Sequence, residues 1–223
     1  MEFTILGRDV GRGSLEILHP KIAEHLRRLA ATRHPILLRM ERIAWRRSFP
    51  IVGPEVGALL WQLAMISKAR RILELGSGFG YSASWFARGL ARGGQIICTD
   101  TSQENADEAT FYFRRQRIQR RIRFLVGDAL DLIDRLPGTF DIILNDVDKE
   151  DYPRAFRKIL PRLRRGGILV TDNMLWDGRV VQEDRSPSTR GVLRYTKMVY
   201  GSKELLTTLL PLVDGVTLSI KLR

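Results

Sequence analysis

Two neighbouring sets of polar residues could hold a divalent cation and a reacting hydroxyl group. Asp146 and Lys149 follow one apolar run, and Asp172 and Asn173 follow the next. Two carboxylates and an amide oxygen favour Mg²⁺, with Ca²⁺ or Mn²⁺ as alternatives, over zinc. Such a cation would orient two substrate oxygens, and Lys149 could accept the hydroxyl proton. The alternative is that Asp172 and Asn173 cap a loop while Lys149 pairs with a surface acid.

A second candidate site is the glycine-rich turn within residues 72–82, which read ILELGSGFGYS. The turn contains Gly76, Ser77, Gly78 and Gly80. Its glycines let the backbone approach a ligand closely. The dinucleotide fingerprint would place its third glycine at position 81, where this chain has Tyr81. Glu74, just before the turn, would repel a pyrophosphate but attract a cationic amino group, which favours S-adenosylmethionine over a nicotinamide dinucleotide.

Two more acidic residues follow the next apolar runs. Asp100 stands where a carboxylate can accept hydrogen bonds from both hydroxyls of a ribose. Asp128, followed by Ala129, stands where an adenine edge would lie, although Asp128 could instead be a helix N-cap. Acidic residues after three successive runs together predict a nucleoside-binding site.

The hydropathy pattern predicts a fold that brings these positions to one edge. Residues 15–48 have the pattern of two amphipathic helices interrupted near His34, and a third helix is predicted over 54–67. Beyond them, apolar runs alternate with amphipathic segments, which predicts parallel strands with helices on both faces. The predicted strands are 71–75, 95–99, 122–126, 140–145 and 167–171, and the predicted helices are 81–91, 103–117, 129–136 and 152–164.

The end of the chain has a different pattern. Two consecutive strands, 205–212 and 216–222, are separated by a turn at Asp214 and Gly215, which predicts an antiparallel hairpin at one edge of the sheet. We therefore expect an α/β, Rossmann-like, doubly wound, mostly parallel sheet of seven strands. It would form a single domain over 1–223, with 1–50 as an N-terminal helical extension.

The chain is strongly basic. Its 37 Lys and Arg residues against 25 Asp and Glu residues give a net charge of +12, and 30 of the basic residues are Arg. The two densest clusters are Arg27, Arg28, Arg33, Arg39, Arg42, Arg46 and Arg47, and Arg114, Arg115, Arg117, Arg120, Arg121 and Arg123. Arg binds phosphate, so these clusters could attract nucleic acid. Aromatic residues do not interleave with them, which favours solvated helix faces.

Other features limit where the protein works. A single cysteine, Cys98, excludes a disulfide framework. No apolar run reaches the roughly 18 residues of a membrane-spanning helix, and residues 1–13 have no pattern of a secretion signal. We expect a cytoplasmic protein with no membrane partner.

These motifs resemble those of the metal-dependent class I O-methyltransferases, the family of catechol and caffeoyl-CoA O-methyltransferases, over residues 50–222. The matching segments are 53–57, 73–76, 80–83, 127–129, 146–149 with Tyr152, 172–176, 178–180, 207–211 and 214–215. The resemblance implies a sheet with a reversed last strand, S-adenosylmethionine as methyl donor, a divalent cation and, in many members, a homodimer.

The resemblance also implies roles for residues. Asp146, Asp172 and Asn173 would be metal ligands, and Lys149 the base. With the glycine-rich turn included, the expected donor-binding residues are Val52, Glu74, Gly76, Ser77, Gly78, Tyr81, Ser82, Asp100, Asp128, Ala129 and Asp146. Val52 would lie against the methionine end of the donor.

Four positions depart from the family pattern. Thr196 and Lys197 stand where many bacterial members have Phe-Asn, and Thr208 stands where the catechol enzyme has a glutamate that holds a substrate hydroxyl. Asn145 occupies a position that is usually apolar. Catechol itself is therefore not supported as the substrate.

The expected reaction is methylation of a hydroxyl on a small phenolic, catechol-like acceptor. One alternative acceptor is a hydroxylated wobble uridine in tRNA. A protein that binds a nucleoside without chemistry is disfavoured because the predicted base and metal ligands are all present.

Overall fold

The computed structural model describes residues 15, 17–30 and 34–223. The strands are β1 (Arg71–Leu75), β2 (Gln95–Asp100), β3 (Ile122–Val126), β4 (Phe140–Asn145), β5 (Leu163–Thr171), β6 (Leu205–Leu210) and β7 (Val216–Lys221). The helices are α1 (Pro20–Leu29), α2 (Pro35–Arg47), α3 (Gly53–Ile66), α4 (Tyr81–Gly89), α5 (Gln103–Arg115), α6 (Ala129–Arg135), α7 (Tyr152–Ile159) and α8 (Pro187–Gly201). Short 3₁₀ turns lie between several of these elements.

The described strands form one sheet in the order β3-β2-β1-β4-β5-β7-β6. The pairs among β1 to β5 are parallel, whereas β7 is antiparallel to both β5 and β6. The predicted fold class, a doubly wound, mostly parallel sheet with an antiparallel strand pair at its C-terminal end, is therefore confirmed.

Helices cover both faces of the sheet, and each face has its own apolar core. Ile72 packs into the core beneath α3, α4 and α5, while its neighbour Leu73 packs into the core beneath α6, α7 and α8. This alternation explains why the consecutive residues Ile72 and Leu73 are both apolar, as expected for a strand buried on both faces. Leu37 and Met40 of α2 belong to the first core.

The boundary between α7 and β5 differs from the prediction. A helix was expected over 152–164 and a strand over 167–171, but α7 ends at Ile159, a 3₁₀ turn spans Leu160–Arg162, and β5 already begins at Leu163. Pro161 explains the early end because it has no N–H group to donate to the carbonyl of Arg157 and so cannot continue the α-helical hydrogen bonds. Leu160 itself keeps helical dihedral angles, with a φ of −55° and a ψ of −46°.

Part of the predicted N-terminal region lies outside the described residues, namely residues 1–14, 16 and 31–33, which include the 1–13 segment and Arg33. Among the described residues, no helix is long and apolar enough to cross a membrane.

Helix α8 packs unusually closely against the loop that follows β4. A Cβ atom built on Gly191 would lie 2.1 Å from the carbonyl oxygen of Lys149. A glycine inside a helix costs about 1 kcal/mol relative to alanine. The close approach explains why glycine stands here, since any side chain would push the Lys149 loop away from the helix.

We expect Gly191→Ala to lower the free energy of unfolding by roughly 1–3 kcal/mol, because overpacking outweighs the gain in helix propensity. Urea unfolding followed by circular dichroism measures this change. Gly201→Ala is the matched control in the same helix, because a Cβ atom there meets nothing within 4 Å. A Gly191→Ala protein as stable as the Gly201→Ala protein would contradict the packing argument.

Candidate active site

The carboxyl ends of the parallel strands meet where the strand order reverses, between β1 and β4. In sheets of this kind, ligands bind at that edge. The glycine-rich turn follows β1, Asp146 follows β4 and Asp172 follows β5. Both predicted sets of chemical groups therefore lie at one edge of the sheet.

The glycine-rich turn is in direct contact with the segment after β4. Gly76 has a φ of +84°, and a Cβ atom there would lie 2.3 Å from the carbonyl oxygen of Asp146. Only glycine satisfies both the positive φ and the close approach. Ser77 ties the turn to β2, since its N–H donates to the carbonyl of Thr99 (2.8 Å) and its Oγ accepts from the N–H of Thr99 (3.2 Å).

A cavity opens beside this turn, and most of the predicted donor-binding residues line it. Those that do are Val52, Gly76, Ser77, Gly78, Tyr81, Ser82 and Asp146, together with Phe49, Pro50, Ile51 and Phe79. Sequence reasoning missed Phe49, whose ring touches the Gly78 position and packs edge-on against Phe79 at 5.1 Å between centroids. Its position after α2 carries no motif that could have revealed it.

Glu74 lies beneath the cavity rather than on its wall. Its side chain is fully buried, its Oε2 accepts from the Cys98 thiol (3.6 Å), and its Oε1 has no hydrogen-bond partner. Burial raises the pKa of Glu74 from 4.5 to about 7, against the lowering effect of the nearby Ser77 and Ser82 hydroxyls. The predicted direct contact with a cationic ligand stays a prediction.

The two other predicted nucleoside contacts already have partners within the chain. Asp100 accepts from the N–H of Gly78 (2.9 Å) and the N–H of Ser102 (2.9 Å). Asp128 caps α6, since its Oδ1 accepts from the N–H groups of Leu130 and Asp131. The carboxylate of Asp100 thus connects the glycine-rich turn to β2, and the contacts of Asp100, Asp128 and Ala129 with a ligand stay predictions.

The reaction-site residues form a compact group of charges. The Nζ atom of Lys149 is 3.1 Å from Oδ1 of Asp146. Burial raises the pKa of Asp172 to about 8, and the nearby Asp146 carboxylate adds to this rise. Burial also raises the pKa of Asp146, although Lys149 opposes that shift. Two carboxylates in a poorly solvated site with one lysine favour binding of a further cation.

The amide of Asn173 is oriented for a role beside these carboxylates. Its Nδ2 donates to Oδ2 of Asp214 (2.8 Å), which leaves its Oδ1 as the atom available to a cation. Asn173 has a φ of +55°, a conformation that asparagine tolerates better than most residues. Among the described residues, no group of three His, Cys, Asp or Glu side chains is arranged to hold a metal ion. The predicted set has two such residues and one amide, so it stays a prediction whose donor chemistry fits Mg²⁺.

Aromatic rings border the Lys149 ammonium. Its Nζ atom lies 5.5 Å from the ring centroid of Tyr152 and 5.7 Å from that of Trp176. The Tyr152 hydroxyl donates to the backbone carbonyl of Asp172 (2.9 Å). Tyr152 therefore contacts both the lysine and the backbone of the neighbouring strand end.

Comparison with known proteins identifies the class of protein. A family model described as O-methyltransferase matches residues 27–222. The chain therefore belongs to the O-methyltransferase family, and the predicted family and enzyme class are confirmed. A catechol O-methyltransferase from Niastella koreensis is 32% identical over 179 residues, which cover 76% of this chain and 81% of that protein. Caffeoyl-CoA O-methyltransferase 2 from Populus trichocarpa is 26% identical over 217 residues, covering 92% and 83% of the two chains.

Solved structures give the same result. The O-methyltransferase TomG from Streptomyces achromogenes, involved in tomaymycin synthesis and solved with S-adenosylmethionine, superposes with a TM-score of 0.83 at 26% identity, covering 91% of this chain and 96% of that chain. An O-methyltransferase from Bacillus cereus solved with S-adenosylhomocysteine has a TM-score of 0.82 at 26% identity, covering 90% and 97%.

The buried Glu74 makes stability depend on pH. Because the pKa of Glu74 is higher in the folded chain, at about 7, than its usual 4.5, the folded state binds more protons between these values. The free energy of unfolding should therefore fall as pH rises from 4.5 to above 7. We expect the free energy of unfolding of the wild-type protein to fall by about 3 kcal/mol between pH 4 and pH 8, relative to that of Glu74→Gln. Urea unfolding of both proteins across this range measures the difference, and a constant difference would contradict the raised pKa.

Proposed function

We propose that this chain transfers a methyl group from S-adenosylmethionine to a hydroxyl of a small phenolic acceptor with vicinal oxygens, with the help of a divalent cation. The observation that carries the proposal is the double role of Asp146. It lines the cavity beside the glycine-rich turn and also lies 3.1 Å from Lys149. Donor and acceptor would therefore meet across a single carboxylate.

The chemistry of the cavity supports a cationic, phosphate-free nucleoside donor. Carboxylates of Asp146, Asp100 and the underlying Glu74 lie in or near the cavity, whereas a pyrophosphate would be repelled by them. The relatives solved with S-adenosylmethionine and S-adenosylhomocysteine have the same fold.

In the proposed mechanism, the acceptor oxygen displaces the sulfonium methyl group directly. The oxygen–carbon bond forms as the carbon–sulfur bond breaks, and the electron pair leaves on sulfur. The hydroxyl proton is transferred to the neutral amine of Lys149, which must first have released its own proton to solvent. Residues on both sides of the cleft hold the reactants in line, at an attack distance of ~3 to 3.5 Å. The short path between Lys149 Nζ and Asp146 supports a role for this lysine at the reacting oxygen.

The residues that would hold a divalent cation are Asp146, Asp172 and Asn173. When bound, the cation would supply Lewis-acid stabilisation of the acceptor oxygens. The raised pKa of Asp172 supports the assignment, because a bound cation would stabilise the ionised form of this buried carboxyl group. Mg²⁺ suits the oxygen ligands, and Ca²⁺ or Mn²⁺ are the alternatives.

Names of relatives support the acceptor class. Several relatives are called catechol or caffeoyl-CoA O-methyltransferases, whose named acceptors carry aromatic hydroxyls. We also propose a homodimer, by resemblance to this family.

Removing one carboxylate should separate catalysis from donor binding. We expect Asp172→Asn to lower methyl transfer to a panel of catechol-like acceptors by about 100-fold or more. Its affinity for S-adenosylmethionine, measured by calorimetry, should stay within about threefold of the wild type, because Asp172 does not line the donor cavity. A chelator should reduce the wild-type enzyme to the same residual rate.

Asp134→Asn is the control for this experiment, since Asp134 is an exposed carboxylate of α6 paired with Lys158. It should methylate at the wild-type rate. If the wild-type enzyme kept its full turnover in the presence of the chelator, the proposed role of the cation would be refuted. If it did not bind S-adenosylmethionine, the proposed methyl donor would be refuted.

A second candidate acceptor is tRNA, and the arrangement of Arg residues favours it. Arg39 of α2 and Arg115 of α5 lie 5.9 and 5.1 Å from the ring centroid of Phe111, which is 44% exposed. The expectation that aromatic residues do not interleave with the Arg clusters was therefore wrong, because one Arg of each cluster lies at the Phe111 ring and Trp45 stands between Arg42 and Arg46 in the sequence. Exposed rings flanked by guanidinium groups can stack on bases. Arg121 has a different role, since it donates to carbonyl groups at the end of α4.

If tRNA is the acceptor, its binding should weaken steeply with salt. Arg39→Gln combined with Arg115→Gln should weaken tRNA binding and reduce the slope of log Kd against log salt by roughly 2. Arg157→Gln combined with Arg165→Gln removes the same charge from another part of the surface and is the control. Filter binding and mass spectrometry of tRNA after incubation with labelled S-adenosylmethionine provide the measurements. Equal losses in both double variants, or no labelled tRNA, would exclude this acceptor.

A further inference from the structure

A row of buried polar side chains lies directly beneath the predicted metal ligands. Asn145, the last residue of β4, pairs in register with Thr171, the last residue of β5, which pairs in turn with Thr217 of β7. Residues in register on adjacent strands point to the same face, so these three side chains form a continuous row. All three are fully buried.

Helix α8 contributes a fourth polar group to this row. The Tyr195 hydroxyl is 2.5 Å from the hydroxyl of Thr171, and Tyr195 is fully buried. Tyr195 lies four residues after Gly191, so both residues are on one face of α8. That face therefore contacts the Lys149 backbone through Gly191 and the end of β5 through Tyr195.

The row is connected to the predicted ligands through the backbone. Asn145 and Thr171 immediately precede Asp146 and Asp172 in the chain. The carbonyl of Asn145 also accepts from the N–H of Asp172 (3.4 Å). A shift of either strand end would therefore change the separation of the two carboxylates.

Three polar atoms of the row make no hydrogen bond of regular geometry, although buried polar groups are normally hydrogen-bonded, and both residues that carry them interact with the Tyr195 hydroxyl. They are Oδ1 and Nδ2 of Asn145 and Oγ1 of Thr217. An apolar residue at position 145 would avoid the cost of burying an amide, so stability alone does not explain this asparagine. Its place between two strand ends that carry predicted ligands points to a functional reason.

We infer that Tyr195 and Asn145 are positioning residues, which set the separation of the Asp146 and Asp172 carboxylates through the row of buried polar side chains at the ends of β4, β5 and β7. This inference rests on the proposed function, since it assigns the row to the cation site. Neither residue touches a reactant. Asn145 acts on Asp146, which follows it directly in the chain. Tyr195 acts on Asp172 through its hydrogen bond to Thr171, the residue before Asp172.

The test compares Mn²⁺ binding with stability. We expect Tyr195→Phe and Asn145→Leu to raise the Kd for Mn²⁺ by about 10- to 100-fold, the range found when groups that orient metal ligands are removed. Their melting temperatures should fall little, and that of Asn145→Leu should stay equal or rise. Electron paramagnetic resonance of free Mn²⁺ gives the Kd, and differential scanning calorimetry gives the melting temperature.

Ser219→Ala is the matched control. Ser219 is buried on the same strand and face as Thr217, two residues further from the ligands, and its hydroxyl is 2.8 Å from that of Thr207. Its loss should lower the melting temperature while the Kd for Mn²⁺ stays within twofold of the wild type.

The outcomes distinguish this inference from the proposed function. If the wild-type protein binds Mn²⁺ and both Tyr195→Phe and Asn145→Leu bind it equally well, the positioning role is overturned while the cation site stands. If Tyr195→Phe, Asn145→Leu and Ser219→Ala all lose Mn²⁺ affinity in proportion to their fall in melting temperature, the role of the row is structural and the inference also fails. If the wild-type protein binds no Mn²⁺, the cation site itself is refuted and the inference falls with it.

Discussion

Concentrated negative charge in a poorly solvated place is the constraint on which the rest of this molecule depends. Glu74, Asp146 and Asp172 stand at or just beyond the carboxyl ends of three adjacent strands, and burial raises the pKa of each. Lys149 is the cation in contact with Asp146. A fold that buries carboxylates in this way gives up stability, and positively charged ligands can recover it by binding. The cationic donor and the divalent cation of the proposed reaction are both ligands of that kind.

The strand order explains why these charges converge. Because β1 and β4 are neighbours at the point where the order reverses, the turn after β1 and the segment after β4 must share the same small space. The close approach of Gly76 to the carbonyl of Asp146 shows how little room lies between the two segments. The cavity beside the glycine-rich turn and the charged group around Lys149 are therefore parts of one structure, and a change in the turn would move Asp146, which belongs to both.

The sequence predicts those parts of this arrangement that depend on local residue patterns. The apolar runs of β1, β3 and β4 are bounded by polar residues and turns, so their limits were predicted to the residue. The convergence of Asp146 and Asp172 was predicted because they follow two strands expected to be neighbours. The position of Glu74 was not, because its burial depends on the backbone conformation of the turn above it. Phe49 and Tyr195 come from segments distant in sequence, and only the folded chain brings them to the site.

Asn145, which stands where an apolar residue is usual, has no explanation in the sequence but has one in the fold. In sequence it is an amide at the end of a buried strand, where a hydrophobic residue would be more stable. In the fold it lies between Leu75 and Thr171, at the place where the two carboxylate-bearing strand ends are adjacent. Natural proteins break rules of stability mainly at functional sites. The same reasoning applies to Gly191, which weakens α8 as a helix but lets it approach the Lys149 loop. Both residues give up local stability beside the same charged group, which agrees with the positioning role inferred for the residues around it.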